Sequence, residues 1–130
     1  GIYVKPTFVE AIVDAEDNII KEFNNDEIRV FSETYSKLAQ ESMIEVISKG
    51  SGFEAKVSQT TVGGKTGTST GNNKSNHGWF AGYFEEENTK YTIVVIAPDI
   101  EELHPDGREL GGGNTGAPIF RDVVKSLINK

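Results

Sequence analysis

Cysteine is absent from the 130 residues, which excludes disulfides, zinc–thiolate sites and thiol catalysis. Redox compartment stays open, because a cysteine-free chain suits either environment. Basic residues are in the minority, with 13 Lys and Arg against 20 Asp and Glu and a formal net charge of −7. Phosphate backbones and anionic lipid are repelled by that balance, so no nucleic-acid partner is expected. The acid comes in short clusters such as Glu85-Glu86-Glu87 and Glu101-Glu102, which read as solvated loops. Long hydrophobic runs are lacking too. The longest, Ile93 to Pro98, is far short of the roughly 20 residues a membrane span needs. No signal peptide opens the chain, and Gly1 stands where an initiating Met would, so the start reads as an internal cut. Histidine is scarce, and His77 and His104 have no ligand-spaced partner, so neither a metal nor a cofactor is expected. Asp14, Glu16 and Asn18 mimic part of a calcium loop but lack its glycine and distal glutamate, so a hairpin turn is the better reading.

What is present points to a folded chain. Hydrophobic residues make up 36% and charged residues 25%, and the apolar ones fall in periodic runs. The length suits one segment spanning residues 1–130, able to bury about two thirds of its unfolded surface. Thr7–Val13 and Asn18–Lys21 flank the turn composition Asp14-Ala15-Glu16-Asp17 and predict a hairpin. From Ser32 to Lys49, Tyr35, Leu38, Ala39, Met43, Val46 and Ile47 recur at helical spacing. Ser32 is the expected N-cap, and Gly50 the expected left-handed stop. Val57–Val62 and Gly64–Ser69 read as one strand bulged at Gly63-Gly64. Trp79–Phe84 reads as a second, with Trp79, Ala81 and Tyr83 on one face and Phe80, Gly82 and Phe84 on the other. Trp79 is expected in the core. Tyr91–Ala97 is apolar on both faces, the pattern of a strand covered on both sides. Gly71–His77 is expected to be a mobile polar loop, and Pro98–Asn114 a second loop ending in three glycines. Phe120, Val123, Val124, Leu127 and Ile128 then stripe a last helix, with Pro118 in its first turn. The order hairpin, helix, three antiparallel strands, helix predicts an α/β (α+β) layered fold.

One segment stands out as a carrier of chemistry: Gly64-Lys65-Thr66-Gly67-Thr68-Ser69. A nucleotide-binding P-loop also closes on Gly-Lys-Thr, but it needs a glycine where Gln59 stands and a helix where Gly71 and two asparagines follow. That reading is rejected. A plain glycine-rich strand with an exposed lysine is the commoner meaning of such residues taken alone. The alternative is that a cation, open backbone at Gly67 and flanking hydroxyls line one strand edge to receive a terminal carboxylate and polarise a carbonyl.

Here the chain resembles the penicillin-binding protein and β-lactamase superfamily, whose third motif is Lys-Thr-Gly. The likeness extends from the Phe31-Ser32 lead into a helix, through its Met43–Gly50 end and the approach to Gly64, to Trp79-Phe80-Ala81-Gly82-Tyr83, the apolar strand after it and Gly112–Phe120. The resemblance implies a peptidoglycan D,D-transpeptidase acting on the D-Ala-D-Ala end of a stem peptide, with β-lactams as mimics. It implies an extracytoplasmic location for the parent enzyme. Lys65 would supply positive potential, Thr66 and Thr68 would bind the substrate carboxylate, and the Thr68 N–H would be one oxyanion donor. Gly67 would let the substrate backbone approach.

The departures matter as much. None of the nine serines has lysine three residues later or asparagine two residues later, so Ser-x-x-Lys and Ser-x-Asn are both absent. In the family both lie upstream of the Lys-Thr-Gly strand. The expectation is therefore a C-terminal portion, inactive alone, whose partners are the N-terminal half of the domain and a second copy paired through strand 91–97. The rival expectation is a non-catalytic module that keeps this half-fold to bind peptide or protein.

Overall fold

The computed structural model describes residues 1–71, 75–100 and 107–128. Asn72 and Asn73 of the loop expected to be mobile, and His104 with the rest of 101–106, lie outside the described residues. The chain divides into two compact units, Gly1–Leu38 and Ala39–Lys130.

In the first unit, β1 (Ile2–Val4) pairs antiparallel with β4 (Glu27–Arg29), and β2 (Ala11–Val13) with β3 (Ile19–Glu22). The β2–β3 pair is the expected hairpin. Its turn is built on Asp14, whose carboxylate accepts bonds from the Glu16 N–H (3.0 Å), the Asn18 N–H (2.8 Å) and the Asn18 side-chain amide (3.0 Å). An aspartate there gives the backbone an alternative to the ladder just where the chain must reverse. Those bonds, the Asn18 side chain's first, hold the Asp14 carboxyl below the usual carboxylate range.

Helix α1 (Glu33–Ser48) begins in the first unit and continues into the second. Ser32 caps it as expected, its Oγ accepting from the Tyr35 N–H at 3.3 Å. Only the C-terminal part of the expected stripe is covered. Ile47 is buried and Met43, Ile44 and Val46 are half-buried, whereas Tyr35 and Leu38 are exposed. Gly50 is not left-handed, contrary to expectation. The N–H groups of Gly50 and Gly52 both bond the Val46 carbonyl, at 3.1 and 3.0 Å, so the chain winds off the helix without a reversal of φ.

The second unit is built on a three-stranded antiparallel sheet in the order β5 (Val62–Thr70), β6 (Asn76–Glu86), β7 (Thr89–Ile100). Helix α2 (Gly116–Ile128) packs on one face, and a 3-10 turn at Phe53–Ala55 packs against α2. Period-two alternation sends Phe80, Gly82 and Phe84 inward, as the sequence pattern requires. Phe80, Phe84, Phe120 and Val124 are the largest fully buried side chains, and the Phe80 and Phe120 rings lie 4.8 Å apart. Tyr83, on the opposite alternation, donates its hydroxyl to the Gln40 carbonyl of α1 at 3.2 Å, and burial pushes its pKa up.

Three expectations for the sheet are corrected. First, 57–61 is not strand, and β5 pairs with β6 in unbroken register from Val62↔Phe84 to Thr70↔Asn76, with no bulge at Gly63-Gly64. Those glycines clear room for aromatic rings instead. A methyl on Gly64 would meet the Phe80 ring at 2.5 Å. The irregularity lies between β6 and β7, near Asn76–Gly78, where Pro98 has no N–H for the ladder and Asp99 takes φ of 51°. The Asp99 N–H is turned onto His77 Nδ1 at 3.0 Å. Second, β7 is covered on one face only: Val95 is buried, while Val94 and Ile96 are exposed. Third, Trp79 is a surface residue, 38% exposed, because its alternation puts it opposite Phe80.

Two outcomes follow from this packing. Phe120→Ala should destabilise the second unit by about 3–5 kcal/mol, the usual result of emptying an aromatic core position; urea unfolding followed by Trp79 fluorescence measures it. For the hairpin, a depressed folded-state pKa makes the Asp14 contribution complete above its unfolded value and progressively lost as pH falls through the folded one. Acid titration by NMR should therefore shift the Asn18 amide signals in the acidic range, and Asp14→Ala should abolish that titration at every pH.

Candidate substrate groove at the Lys-Thr-Gly strand

Strand β5 is the edge of the three-stranded sheet, so one side of its backbone is not paired with another strand among the described residues. Along that edge runs an open groove of about 880 Å³, contained in the second unit. Lys65, Thr66, Gly67 and Thr68 line it from the strand, and residues 109–114 line it from the loop before α2. Ser51 and Asn76 complete the lining. Each residue singled out from sequence is thus in one place: Lys65, Thr66, Gly67 and Thr68 all face the same cavity.

The groove exists because two backbones touch. Gly112 is buried, and a methyl there would run into the carbonyl oxygens of Gly67 and Trp79. Only a residue without Cβ lets the loop lie directly on β5 and β6. The loop is held in that shape by its own bonds. Gly111 N–H donates to the Asn114 side chain at 2.8 Å, Thr115 Oγ1 donates to the Gly111 carbonyl at 2.7 Å, and Asn114 Nδ2 donates to the Glu109 carbonyl at 2.7 Å. The Gly112 carbonyl accepts the Ala117 N–H at 2.9 Å, tying the loop to the first turn of α2.

The polar groups of the lining include one cation, one carboxylate and several hydroxyl and amide groups that can both donate and accept. The exposed Lys65 ammonium donates to the Thr66 carbonyl at 2.7 Å. Thr66, half-buried, shares a 2.8 Å hydroxyl–hydroxyl bond with Ser51. Thr68 is exposed, and its Oγ1 accepts a long bond from the Gly112 N–H at 3.4 Å. Beside the motif, Trp79 Nε1 donates to Ser69 Oγ at 3.0 Å. Lys65 and Glu109 are the charged residues of the lining. A cation, two hydroxyls and an open strand edge suit an anionic peptide end. Among the described residues, the serine of the lining, Ser51, bonds Thr66.

Sequence reasoning missed Ser51, Asn76 and residues 109–114 as groove residues. The run Gly111-Gly112-Gly113 was the available signal, because three consecutive glycines mark a backbone that must approach something closely.

A family model for the penicillin binding protein transpeptidase domain matches residues 1–125. The chain belongs to that family. Among curated relatives of this transpeptidase domain, a peptidoglycan D,D-transpeptidase FtsI homolog from Chlorokybus atmophyticus is 34% identical over 81% of the chain and 16% of the relative. A protein of the same description from Mesostigma viride is 27% identical over 98% of the chain and 24% of the relative. The chain thus spans about a quarter or less of the length of the curated relatives it matches. Among solved structures, the transpeptidase domain of the FtsI4 D,D-transpeptidase from Legionella pneumophila aligns with a TM-score of 0.64 and 33% identity, over 75% of this chain and 36% of that one. The D,D-transpeptidase domain of a peptidoglycan glycosyltransferase from Eggerthella lenta aligns with a TM-score of 0.69 over 92% of this chain and 26% of that one; at 21% identity it speaks to fold alone. The mixed α/β architecture with its antiparallel sheet is that of transpeptidase domains.

Gly112→Ala is the sharpest test of the groove's construction. The added methyl has two carbonyl oxygens in its way, so the loop must lift. The expected cost is about 1–3 kcal/mol, as for other overpacked sites, with large amide shifts at Thr68 and Trp79 in NMR spectra. Unchanged shifts at both residues would mean the loop does not rest on the strand.

Proposed function

We propose that this chain supplies the Lys-Thr-Gly wall of a peptidoglycan D,D-transpeptidase that binds penicillin and cross-links the cell wall. The observation that carries the reading is the alignment of Lys65, Thr66, Gly67 and Thr68 along an open groove at a sheet edge. In the proposed reaction a serine oxygen from outside this sequence attacks the carbonyl of the D-Ala-D-Ala bond. The terminal D-Ala leaves with a proton, and an amine from a neighbouring stem peptide then displaces the serine. Lys65 contributes positive potential beside the incoming carboxylate, and the Thr66 and Thr68 hydroxyls donate to it. The Thr68 N–H serves as one of two donors to the carbonyl oxygen as it becomes negative. Gly67, with no side chain, admits the peptide to the strand edge. β-Lactams enter as mimics of the same peptide end.

The 130 residues by themselves are proposed to be inactive, because Ser-x-x-Lys and Ser-x-Asn do not occur in them. The whole enzyme is placed by this reading on the extracytoplasmic side of a bacterial-type membrane. Among the described residues no helix is long and apolar enough to cross one. The far edge of the sheet, β7 with its exposed Val94 and Ile96, fits pairing with the rest of the domain or with a second copy.

A fluorescent penicillin tests the proposal directly. The chain, incubated, denatured and run on a gel, should show no labelled band. The full-length protein should be labelled, and Lys65→Ala in it should slow labelling by at least 100-fold, in keeping with loss of a charged group that acts on the developing transition state. Labelling of any serine in the 130 residues would overturn the assignment of the missing nucleophile. A full-length protein that takes no label would favour the binding-module reading instead.

A further inference from the structure

We infer that Ser51 is a positioning residue, whose hydroxyl donates to Thr66 Oγ1 and so leaves the single Thr66 proton for an anion in the groove. This rests on the proposed role of Thr66 in holding the substrate carboxylate. A threonine hydroxyl has one proton and two lone pairs. Paired with another hydroxyl, it either accepts and keeps its proton for a third party, or donates and presents only lone pairs. In the second arrangement it would repel a carboxylate. The 2.8 Å Ser51–Thr66 bond therefore decides what Thr66 can do.

The neighbouring threonine on the same strand supplies the pattern for the first arrangement. Thr66 and Thr68 are two residues apart, so their side chains leave the same face of β5. The partner of Thr68 is the Gly112 N–H, which can only donate, so Thr68 Oγ1 accepts and retains its proton. With Ser51 donating in the same sense, both threonines have a donor behind them and a proton to offer in front. The two donors come from opposite ends of the second unit's sequence: Ser51 from the Gly50-Ser51-Gly52 exit of α1, Gly112 from the loop before α2. Ser51 is held in place independently of its hydroxyl, because its carbonyl lies against Gly113 so closely that a methyl there would collide with it. Its Oγ is thus delivered by backbone packing and not by the bond it makes.

The test uses the full-length protein, with acylation by a penicillin compared with acylation by the methyl ester of the same penicillin. Only the acid carries the anion. Ser51→Ala should lower the second-order acylation rate for the acid about ten-fold, the lower end of the scale of one hydrogen bond to a charged group, and leave the ester rate unchanged. Ser51→Thr, which restores a hydroxyl, should recover the acid rate. In a Thr66→Val background Ser51→Ala should have no further effect. Equal losses on acid and ester, no loss on the acid, failure of Ser51→Thr to rescue, or additive losses with Thr66→Val would each overturn the inference. Failure of the underlying reading looks different: Thr66→Val alone would then leave acid–ester discrimination untouched, and the role given to Ser51 would fall with it.

Discussion

Everything in the second unit that resembles a working site depends on one contact, the backbone of Gly112 lying on the carbonyls of Gly67 and Trp79. Because that contact leaves no room for a side chain, it fixes the height of the loop above the sheet to within a methyl group. The loop then serves as the far wall of the groove. Its carbonyl at Gly112 also receives the Ala117 N–H, so α2 starts from a fixed point. From that start Phe120 reaches Phe80, and the rings close the core at 4.8 Å. Core packing and groove shape are therefore not separate properties: lifting the loop would open one and loosen the other.

The same economy applies to β5. An edge strand is a hazard, since its unpaired N–H and C=O groups recruit other strands. Here the exposed edge is flanked by Lys65 and overhung by a glycine loop, and both discourage indiscriminate pairing. What remains accessible is a short length of backbone at Gly67 between two hydroxyls. A peptide that adds to such an edge gains main-chain bonds, and the neighbouring side chains select its terminus.

Much of this was legible in the residues and some was not, for physical reasons. The α2 stripe, the Ser32 cap, the Asp14 turn and the inward Phe80–Phe84 alternation were readable because each depends on local periodicity or on a side chain bonding a nearby backbone group. Gly63-Gly64 was misread as a bulge because a strand glycine has two meanings, a kink or a place where another group comes close. Which one applies depends on Phe80 and Tyr83, on the neighbouring strand. Trp79 is expected in the core, yet the alternation that buries Phe80 requires Trp79 to face the other way. The Lys65–Thr68 side of the groove was visible as a motif. Its opposite side was not, because Ser51 and residues 109–114 are brought to it by loops whose paths no periodicity encodes. Only the glycine run hinted at them.

The composition of the groove also bears on why such a wall would need the rest of an enzyme. Two charge-assisted hydrogen bonds are worth about 1.5–3 kcal/mol each. Holding a flexible peptide in place costs at least about 4 kcal/mol in lost translation and rotation. The difference leaves at most about 2 kcal/mol, and nothing at the low end, weaker than the roughly 4 kcal/mol that corresponds to millimolar affinity. The net charge of −7 works further against an anionic ligand at long range, with Lys65 opposing it only nearby. A groove of this kind therefore discriminates more than it binds: it sets which end of a peptide fits, while the affinity must come from a second wall. In a transpeptidase that second wall would also bring the nucleophile, so a correctly oriented carboxylate and a correctly placed carbonyl would follow from one docking event. That coupling explains why recognition and chemistry can sit on different parts of one chain without either being effective alone.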